Sequence, residues 1–189
     1  MVFHNRSHAA DRLAVALAAC KGTHPLILAI PRGAVPMGQR LAQALGGELD
    51  VVLVRKLRAP FNPEFALGSI DESGWSYIAD YAESAGGTPA YLEQEKQAQL
   101  DTIRKRRAQY TPLRPPIDPA GRVVIVVDDG LATGATMISA LHALRAQKPA
   151  RLVCAVPVAP ADTLEKIRGY AAEVVCLSTP MYFQAVGQF

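Results

Sequence analysis

The sequence predicts an α/β fold, with a five-stranded parallel sheet, helices on both of its faces, and a small additional hood or flap. The main observation is that short, almost wholly apolar segments alternate with longer amphipathic segments along the chain. Strands that are apolar on both sides are typical of parallel sheets, because helices cover both faces of such sheets. The second observation is size, since 189 residues, 50% of them hydrophobic, are enough for one domain with a substantial core.

In the first part of the chain, strands and helices alternate with short connections. The predicted elements are a helix at 8–20, a strand at 25–30, a helix at 37–47 and a strand at 50–54. Ser7 is the predicted N-cap of the first helix, and Gly22 closes it. Gly46 or Gly47 ends the second helix, because glycine adopts the left-handed conformation that terminates helices.

The middle of the chain departs from this alternation. Residues 57–87 are rich in Gly, Pro and Ser, with weak strand signals, and a long polar helix is predicted at 89–110. The proline-dense segment 111–121 must be extended. We therefore expect one domain over 1–189, with a flexible-loop and helix excursion at about 57–115.

The alternation then resumes and completes the sheet. The predicted elements are a strand at 122–127, a helix at 135–147, a strand at 151–158, a helix at 161–172 and a strand at 173–177. These three strands bring the total to five, and the helices between them are long enough for parallel crossovers.

Charge and composition exclude several classes of function. A net charge of +3, from 20 basic and 17 acidic residues, is too balanced to indicate a nucleic-acid-binding protein. The basic run RKRR at 104–107 lies in a polar helix, where a solvated face is the simpler interpretation and an RNA contact the alternative. No signal peptide or bilayer-length apolar run is visible, so we expect a cytoplasmic protein without a membrane partner. The three cysteines lack ligand spacing and predict no metal or disulfide.

The most informative stretch is VVIVVDDGLATGATM, from Val123 to Met137. Its buried strand ends in Asp128 and Asp129, which places both carboxylates at the edge of the sheet where ligands of parallel sheets bind. In the loop that follows, backbone N–H groups, the helix start and the hydroxyls of Thr133 and Thr136 are donors for an anion. The segment thus offers acceptors for hydroxyls beside donors for a phosphate, as a sugar phosphate requires. No GxxxxGK[ST] or GxGxxG motif is present to indicate another nucleotide-binding loop.

This stretch resembles the phosphoribosyl-pyrophosphate (PRPP) signature of type I phosphoribosyltransferases, and the segments PRG, VRK and NPEFALG resemble the group known as "predicted phosphoribosyltransferases". The resemblance implies that Asp128 and Asp129 bind the ribose 2- and 3-hydroxyls. It also implies that the loop holds the 5-phosphate, through residues among Gly130, Ala132, Thr133, Gly134, Ala135 and Thr136.

Two further segments carry the resemblance. The segment IPRGAV (30–35) stands where the family places its pyrophosphate loop, which often contains a non-proline cis peptide; here that bond would join Pro31 to Arg32, with Gly33 next in the loop. Arg55 and Lys56 resemble the Arg-Lys pair after the second strand of adenine-type members, which contacts pyrophosphate. The alternative for both segments is an ordinary turn with solvated cations.

The implied reaction is the displacement of pyrophosphate at C1 of PRPP by a nitrogen of a base, a pentosyltransferase step of nucleotide salvage. Arg32 and Lys56, with Asp128 and Asp129, would be the catalytic residues. Mg²⁺ is the implied cofactor, held by the two aspartates directly or through water. Residues 57–75 stand where the family has a mobile loop that closes over the site, and Glu64 there is a candidate base contact.

The base and the partners are less well defined by the sequence. Ala132 stands where the 6-oxopurine enzymes of the family carry an aspartate, which disfavours hypoxanthine and guanine, and the loop DDGLATGAT most resembles that of adenine-type members, so a purine such as adenine is the lead. Tyr182 and Phe183 follow the last strand and are candidate stacking residues for the base. We expect PRPP and a nucleobase or similar nitrogen nucleophile as ligands, a homodimer, and no nucleic acid. Two other functions stay open, namely a regulator that binds PRPP or a nucleotide with little turnover, and a sugar-phosphate hydrolase, for which no general base is apparent.

Overall fold

The computed structural model describes residues 3–182, which fall into two compact units. The first unit contains the chain up to residue 52 together with the chain from residue 116 onward, and the second unit contains 53–115. The strands are β1 (Leu26–Ala29), β2 (Glu48–Val51), β3 (Val54–Ala59), β4 (Asn62–Asp71), β5 (Ser76–Ile78), β6 (Val123–Val127), β7 (Arg151–Val158) and β8 (Glu173–Ser178). The helices are α1 (Arg6–Ala16), α2 (Val35–Leu45), α3 (Pro89–Tyr110), α4 (Ala135–Ala146) and α5 (Ala161–Ile167).

The first unit is built on a parallel sheet of five strands in the order β2-β1-β6-β7-β8, which confirms the predicted fold class. Alternate residues of a strand point to opposite faces. Ile27, Ile125 and Val153 share one face and pack in one core with Leu13 of α1 and Leu41 of α2. Residues of the other parity in these strands are also buried, and α4 contacts β6 and β7. Burial on both faces explains why the strands read as unbroken apolar runs.

The order of the strands places a topological switch point between β1 and β6. From β1 the chain passes through α2 to β2 on one side, whereas β6 leads through α4 to β7 on the other. Ala29 and Val127 are paired at the ends of these strands, and the amide of Ile30 donates to the carbonyl of Val127 at 3.0 Å. The loops that leave β1 and β6 therefore begin side by side, in the position where open α/β sheets bind ligands.

The N-terminal helix begins earlier than its sequence pattern predicts. Asn5 is the N-cap, because its backbone is extended and its side chain accepts a hydrogen bond from the amide of His8 at 2.9 Å. The prediction of Ser7 as the cap is wrong, because the side-chain oxygen of Asn5, two residues upstream, already accepts from the amide of His8. As a result, Arg6 is the first residue of α1. The predicted stop of the next helix is confirmed, because Gly46 ends α2 in the left-handed region with φ of 67°.

The second unit contains an antiparallel sheet in the order β3-β4-β5, with α3 packed on β3 and β4. Within the segment 57–75, β4 alone covers ten residues, so the weak strand signals of this Gly/Pro-rich part belong to a regular strand. Leu67 and Ala59 are buried against Ala82 and bring two of the strands into a small core, which short Gly/Pro-rich sequence patterns do not reveal. The long helix at 89–110 is confirmed.

The predicted second strand at 50–54 is divided between the two units. β2 ends at Val51, the buried residues Val52 and Leu53 connect the units, and β3 begins at Val54. The apolar run is continuous because strand end, connection and strand start are all buried, so the sequence pattern cannot show the break. Arg55 and Lys56 consequently lie within β3 rather than at the end of a parallel strand.

Within residues 3–182, no helix combines the length and the apolar character needed to cross a membrane.

Candidate functional site

The loop after β1 touches the acidic pair after β6. The peptide bond between Pro31 and Arg32 is cis, as the family resemblance implied. Gly33 follows it so closely against Asp129 that a β-carbon added to Gly33 would lie 2.2 Å from the Oδ2 atom of Asp129 and 2.8 Å from its Cγ. Any side chain at position 33 would displace the carboxylate or the loop, so glycine is required here by the close approach of the two segments.

Asp129 is bound by a residue that the sequence did not single out. Arg6, at the start of α1, donates from Nε at 2.9 Å and from Nη2 at 2.6 Å, both to Oδ2 of Asp129. The arginine side chain keeps 61% of its surface exposed, whereas that of Asp129 keeps 21%. The second carboxylate of the motif thus has a cation as its direct partner, and this cation also lies beside the loop that contains Gly33.

Asp128 lies in a different environment. The pKa of its carboxyl is raised from 3.8 to about 7, chiefly by burial; the hydrogen bond from the Asp129 amide opposes the rise, and the charge of Asp129 adds to it. That amide donates to Oδ1 of Asp128 at 2.8 Å. Near neutral pH this carboxyl therefore exists in both its protonated and its ionised form, which is the behaviour of a group poised to interact with a polar ligand.

The loop from Gly130 to Gly134 leads into α4. Gly134 has φ of 74° and is the N-cap of the helix, where a glycine has no side chain to cap the first amides. Thr133 lies exposed in this loop, and its Oγ1 accepts weakly from the amide of Ala135 at 3.4 Å. The free amides, the helix start and the adjacent hydroxyl make this segment suitable for an anion.

The buried Thr163 of α5 fixes the conformation of this loop. Its hydroxyl donates to the carbonyl of Ala132 at 2.7 Å. Its methyl group lies where a β-carbon on Gly134 would come within 2.8 Å. The same side chain therefore positions the loop by one hydrogen bond and by one close contact, and a residue larger than glycine at 134 would disturb both.

A cavity of about 630 Å³ lies beside this loop. It is lined by Ala132, by Pro160, Ala161 and Asp162 at the start of α5, and by Thr179, Pro180 and Met181 after β8. Its charged lining residue is Asp162, an acceptor. Tyr182 follows directly and is 86% exposed, so it is not part of the core. Phe183, the other candidate stacking residue, lies outside the described residues.

The remaining predicted cations do not all lie in this unit. Arg32 is exposed and has no side-chain partner among residues 3–182. Arg55 and Lys56 belong to the second unit, where Arg55 Nε donates to the Oε1 of Gln99 at 2.9 Å and Lys56 pairs with Glu64 at 3.0 Å. Burial lowers the pKa of the Arg55 guanidinium, and the charges of nearby arginines lower it further. Glu64 is thus a partner of Lys56 in this structure.

The basic run at 104–107 is partly neutralised within the second unit. Arg104 pairs with Asp101 at 3.3 Å, and the mostly buried Arg107 forms a short ion pair with Glu72. Two of its four cations thus have acidic partners, and Arg107 is largely inaccessible to a partner molecule. This arrangement disfavours the run as an RNA-binding patch.

The acidic pair fits Mg²⁺ only as part of a larger ligand set. Residues 3–182 contain no cluster of three or more His, Cys, Asp or Glu side chains that could hold a metal by itself. Mg²⁺ usually takes one or two carboxylates and completes its octahedron with water and substrate phosphates. Asp128 and Oδ1 of Asp129 match such a partial set, whereas Oδ2 of Asp129 already accepts two hydrogen bonds from Arg6.

Comparison with known proteins identifies the family. Residues 4–188 match the family model described as "Phosphoribosyl transferase domain". The chain belongs to the phosphoribosyl transferase family. Two curated Mycobacterium tuberculosis proteins, from strains CDC 1551 and H37Rv, are named as candidate phosphoribosyl transferases and are each 40% identical over 190 residues. The match covers 99% of this chain and 42% of each relative, so the chain spans less than half the length of these proteins.

Solved structures share the fold of this chain. The crystal structure of TT1426 from Thermus thermophilus is 47% identical, with a TM-score of 0.89, and the match covers 100% of this chain and 89% of that one. The APRTase from Giardia lamblia in complex with 9-deazaadenine, at 11% identity and TM-score 0.52, covers 94% and 80%. A Bacillus anthracis hypoxanthine-guanine phosphoribosyltransferase, at 12% identity and TM-score 0.51, also covers 94% and 80%. The latter two show that this phosphoribosyl transferase domain shares their fold.

Two residues near the acidic pair and its loop belong to no motif of the sequence. Arg6 lies 123 residues before its partner Asp129, in a helix whose sequence carries no ligand motif. Thr163 resembles an ordinary polar residue at the start of a helix. Nothing in the sequence marks Thr163 as buried, and nothing local distinguishes Arg6 from Arg12, the other arginine of its helix.

Proposed function

We propose that this chain transfers the 5-phosphoribosyl group of PRPP to a nitrogen of a nucleobase and releases pyrophosphate. The observation that supports it most is the meeting of two loops at the switch point of the sheet. There the cis-peptide loop contacts Asp129 through Gly33, and the acidic pair continues into a loop with free amides at the start of α4. Membership of the family makes PRPP the natural ligand for such a site.

Each part of the site corresponds to one part of the substrate. The carboxylates of Asp128 and Asp129 would accept hydrogen bonds from the ribose hydroxyls. The amides of 133–136 and the hydroxyl of Thr133 would hold the 5-phosphate, because a helix start presents backbone amides to an anion and its N-cap here is a glycine without a capping side chain. The cis-peptide loop and the exposed Arg32 would face the pyrophosphate. PRPP would thus be held at its sugar and at both of its anionic ends.

The reaction would then be a substitution at C1 of the ribose. The bond between C1 and the pyrophosphate oxygen breaks, and a bond between C1 and the base nitrogen forms, while positive charge develops on the sugar ring. Holding both ends of PRPP fixes C1 relative to the base, and the negative carboxylates beside the ring favour the developing charge. Mg²⁺ bound with the substrate would neutralise the leaving pyrophosphate, and Asp128 and Asp129 would hold it directly or through water.

The cavity beside Ala132 supports an acceptor that carries an amino group. Asp162 and Thr179 are its acceptor side chains, and its lining residues within 3–182 include no cation. A base with N–H donors is satisfied by such a lining, whereas the oxygen of a 6-oxopurine would lack a charged donor. Ala132 also disfavours a 6-oxopurine, because it stands where the 6-oxopurine enzymes of the family carry an aspartate. We therefore propose an adenine-like base as the acceptor.

The test is a panel of nucleobases incubated with the purified chain, PRPP and Mg²⁺, scored for nucleotide and for pyrophosphate formed. Adenine is expected to give the highest kcat/KM, and hypoxanthine and guanine the lowest. Asp128→Asn is the matched inactive control. Binding of PRPP without product from any base would favour the regulatory alternative, and absence of PRPP binding would refute the proposed site.

A further inference from the structure

We propose that Arg6 is a further substrate-binding residue, which holds Asp129 through two hydrogen bonds and offers its remaining N–H groups to the pyrophosphate of PRPP. This inference rests on the proposed function and adds a residue from the N-terminal helix to the site. The motifs that carry the family resemblance include no residue of this helix.

The geometry of Arg6 is that of a residue built into the site. Its Nε and Nη2 both donate to one oxygen of Asp129, at 2.9 and 2.6 Å. The same oxygen is the atom that a β-carbon on Gly33 would strike at 2.2 Å. The guanidinium and the cis-peptide loop therefore both approach the Oδ2 atom of Asp129, and Arg6 lies beside the loop assigned to pyrophosphate.

The guanidinium has donors left over for an anion. It carries five N–H donors in a rigid plane, and the contacts with Asp129 use one on Nε and one on Nη2. Nη1 makes no hydrogen bond with another side chain or backbone group of residues 3–182. With 61% of its side chain exposed, the arginine is accessible to a ligand. Guanidinium groups with this geometry are favoured for binding phosphate oxygens in pairs.

The contact also has a consequence for Asp129. Because Arg6 occupies Oδ2 twice, Oδ1 is the oxygen left for a ribose hydroxyl. Arg6 would remain in place when PRPP binds, since the ligand adds negative charge beside the guanidinium and the sugar needs only the free oxygen. The two hydrogen bonds would fix the guanidinium plane before the substrate arrives, which lowers the ordering cost of binding.

Arg6 differs from an ordinary surface ion pair in its place in the fold and in its partner, not in the number of its hydrogen bonds or in its exposure. Arg40 and Asp11 form such a pair between α2 and α1, with both side chains about half exposed. Arg6, in contrast, joins a helix start to the end of a central strand, and the position is set by the cap at Asn5. Its partner is one of the two carboxylates of the signature motif.

The experiment measures binding by titration calorimetry for the wild type, Arg6→Gln, Arg6→Lys and Arg12→Gln. Arg12 lies exposed on the same helix, so its replacement removes the same charge without touching the site. Each protein is titrated with PRPP plus Mg²⁺ and, separately, with ribose 5-phosphate, which has the sugar and its phosphate but no pyrophosphate. Thermal unfolding of each variant verifies that the fold is intact.

We expect Arg6→Gln to weaken PRPP binding by about tenfold or more, the size of one charge-assisted hydrogen bond, and to change ribose 5-phosphate binding less than about twofold. Arg6→Lys should retain part of the affinity, and Arg12→Gln all of it. Equal weakening of both ligands would overturn the pyrophosphate contact, as would stronger binding of both, which would make Arg6 a group that blocks the site. If the wild type itself fails to bind PRPP, the proposed function falls and this inference with it.

Discussion

Replacing Asp128 by asparagine should stabilise the protein at neutral and alkaline pH. In the folded protein, burial and the charge of Asp129 raise the pKa of this carboxyl from 3.8 to about 7. A difference of this size corresponds to roughly 4 kcal/mol that the ionised form costs the folded state, at 1.36 kcal/mol for each pH unit. Asparagine keeps the oxygen that accepts from the Asp129 amide and carries no charge.

The sign of the pH dependence follows from proton binding. Between the usual carboxyl pKa near 4 and the folded pKa near 7, the folded wild type keeps a proton that the unfolded chain has lost, so its free energy of unfolding falls as the pH rises. The contribution of Asp128 is fully favourable below about pH 4 and is lost above about pH 7. Because the carboxyl retains some access to water, we expect about half the full value, or about 2 kcal/mol, as the gain of Asp128→Asn at pH 8.

Urea denaturation of the wild type and the variant at pH 4, 6 and 8 measures this gain. The difference in free energy of unfolding should be near zero at pH 4, intermediate at pH 6 and about 2 kcal/mol at pH 8. Asp129→Asn is the matched control, since it breaks an ion pair with a mostly exposed arginine and should change stability by less than about 1 kcal/mol. A variant that is no more stable than the wild type at pH 8, or a gain that is equal at all three pH values, would refute the assignment of this pKa to Asp128.

Three other predictions concern the substrate contacts. Gly33→Ala should weaken PRPP binding at least about tenfold, because its β-carbon would lie 2.2 Å from the carboxylate of Asp129. The control is Gly169→Ala, whose β-carbon would have its nearest neighbour 4.0 Å away and which should leave PRPP binding unchanged. Equal affinities of the two variants in calorimetry would contradict the close contact. Thr133→Val should weaken ribose 5-phosphate binding by about tenfold with little change in Tm, and undiminished affinity would count against the phosphate cradle. Tyr182→Ala should raise the KM for the base about tenfold and leave Tm unchanged, because the ring is exposed. If the variant instead loses both stability and PRPP binding, the ring belongs to the core.

The parts of the fold that the sequence predicted are those with one dominant local signal. The strands β6 and β7 are unbroken apolar runs between polar turns, and α3 is a long polar helix opened by Thr88 and Pro89, so their bounds follow closely from the sequence. The cis peptide after Pro31 could be expected only from the family resemblance, since three residues of sequence do not distinguish it from a common turn.

The errors arose where the signal is not local. The run from Asp50 to Val54 is buried throughout, so nothing in its hydrophobicity marks the point at which one sheet ends and another begins. The strand β4 contains a proline and a glycine, it is paired with β3 and β5 on either side, and its residue Leu67 is buried against Ala59 and Ala82. Local propensity disfavours such a strand, and tertiary pairing overrides it.

The two aspartates of the motif illustrate what the sequence could not show within the site. Adjacent in sequence and identical in chemistry, they read as an equivalent pair. In the structure Asp129 has Arg6 as a direct partner, whereas Asp128 has one backbone amide and a largely buried carboxyl. The difference has a consequence for binding, because a ligand that requires the ionised form of Asp128 must displace its proton below about pH 7. The affinity for such a ligand should therefore rise as the pH rises through the pKa of Asp128.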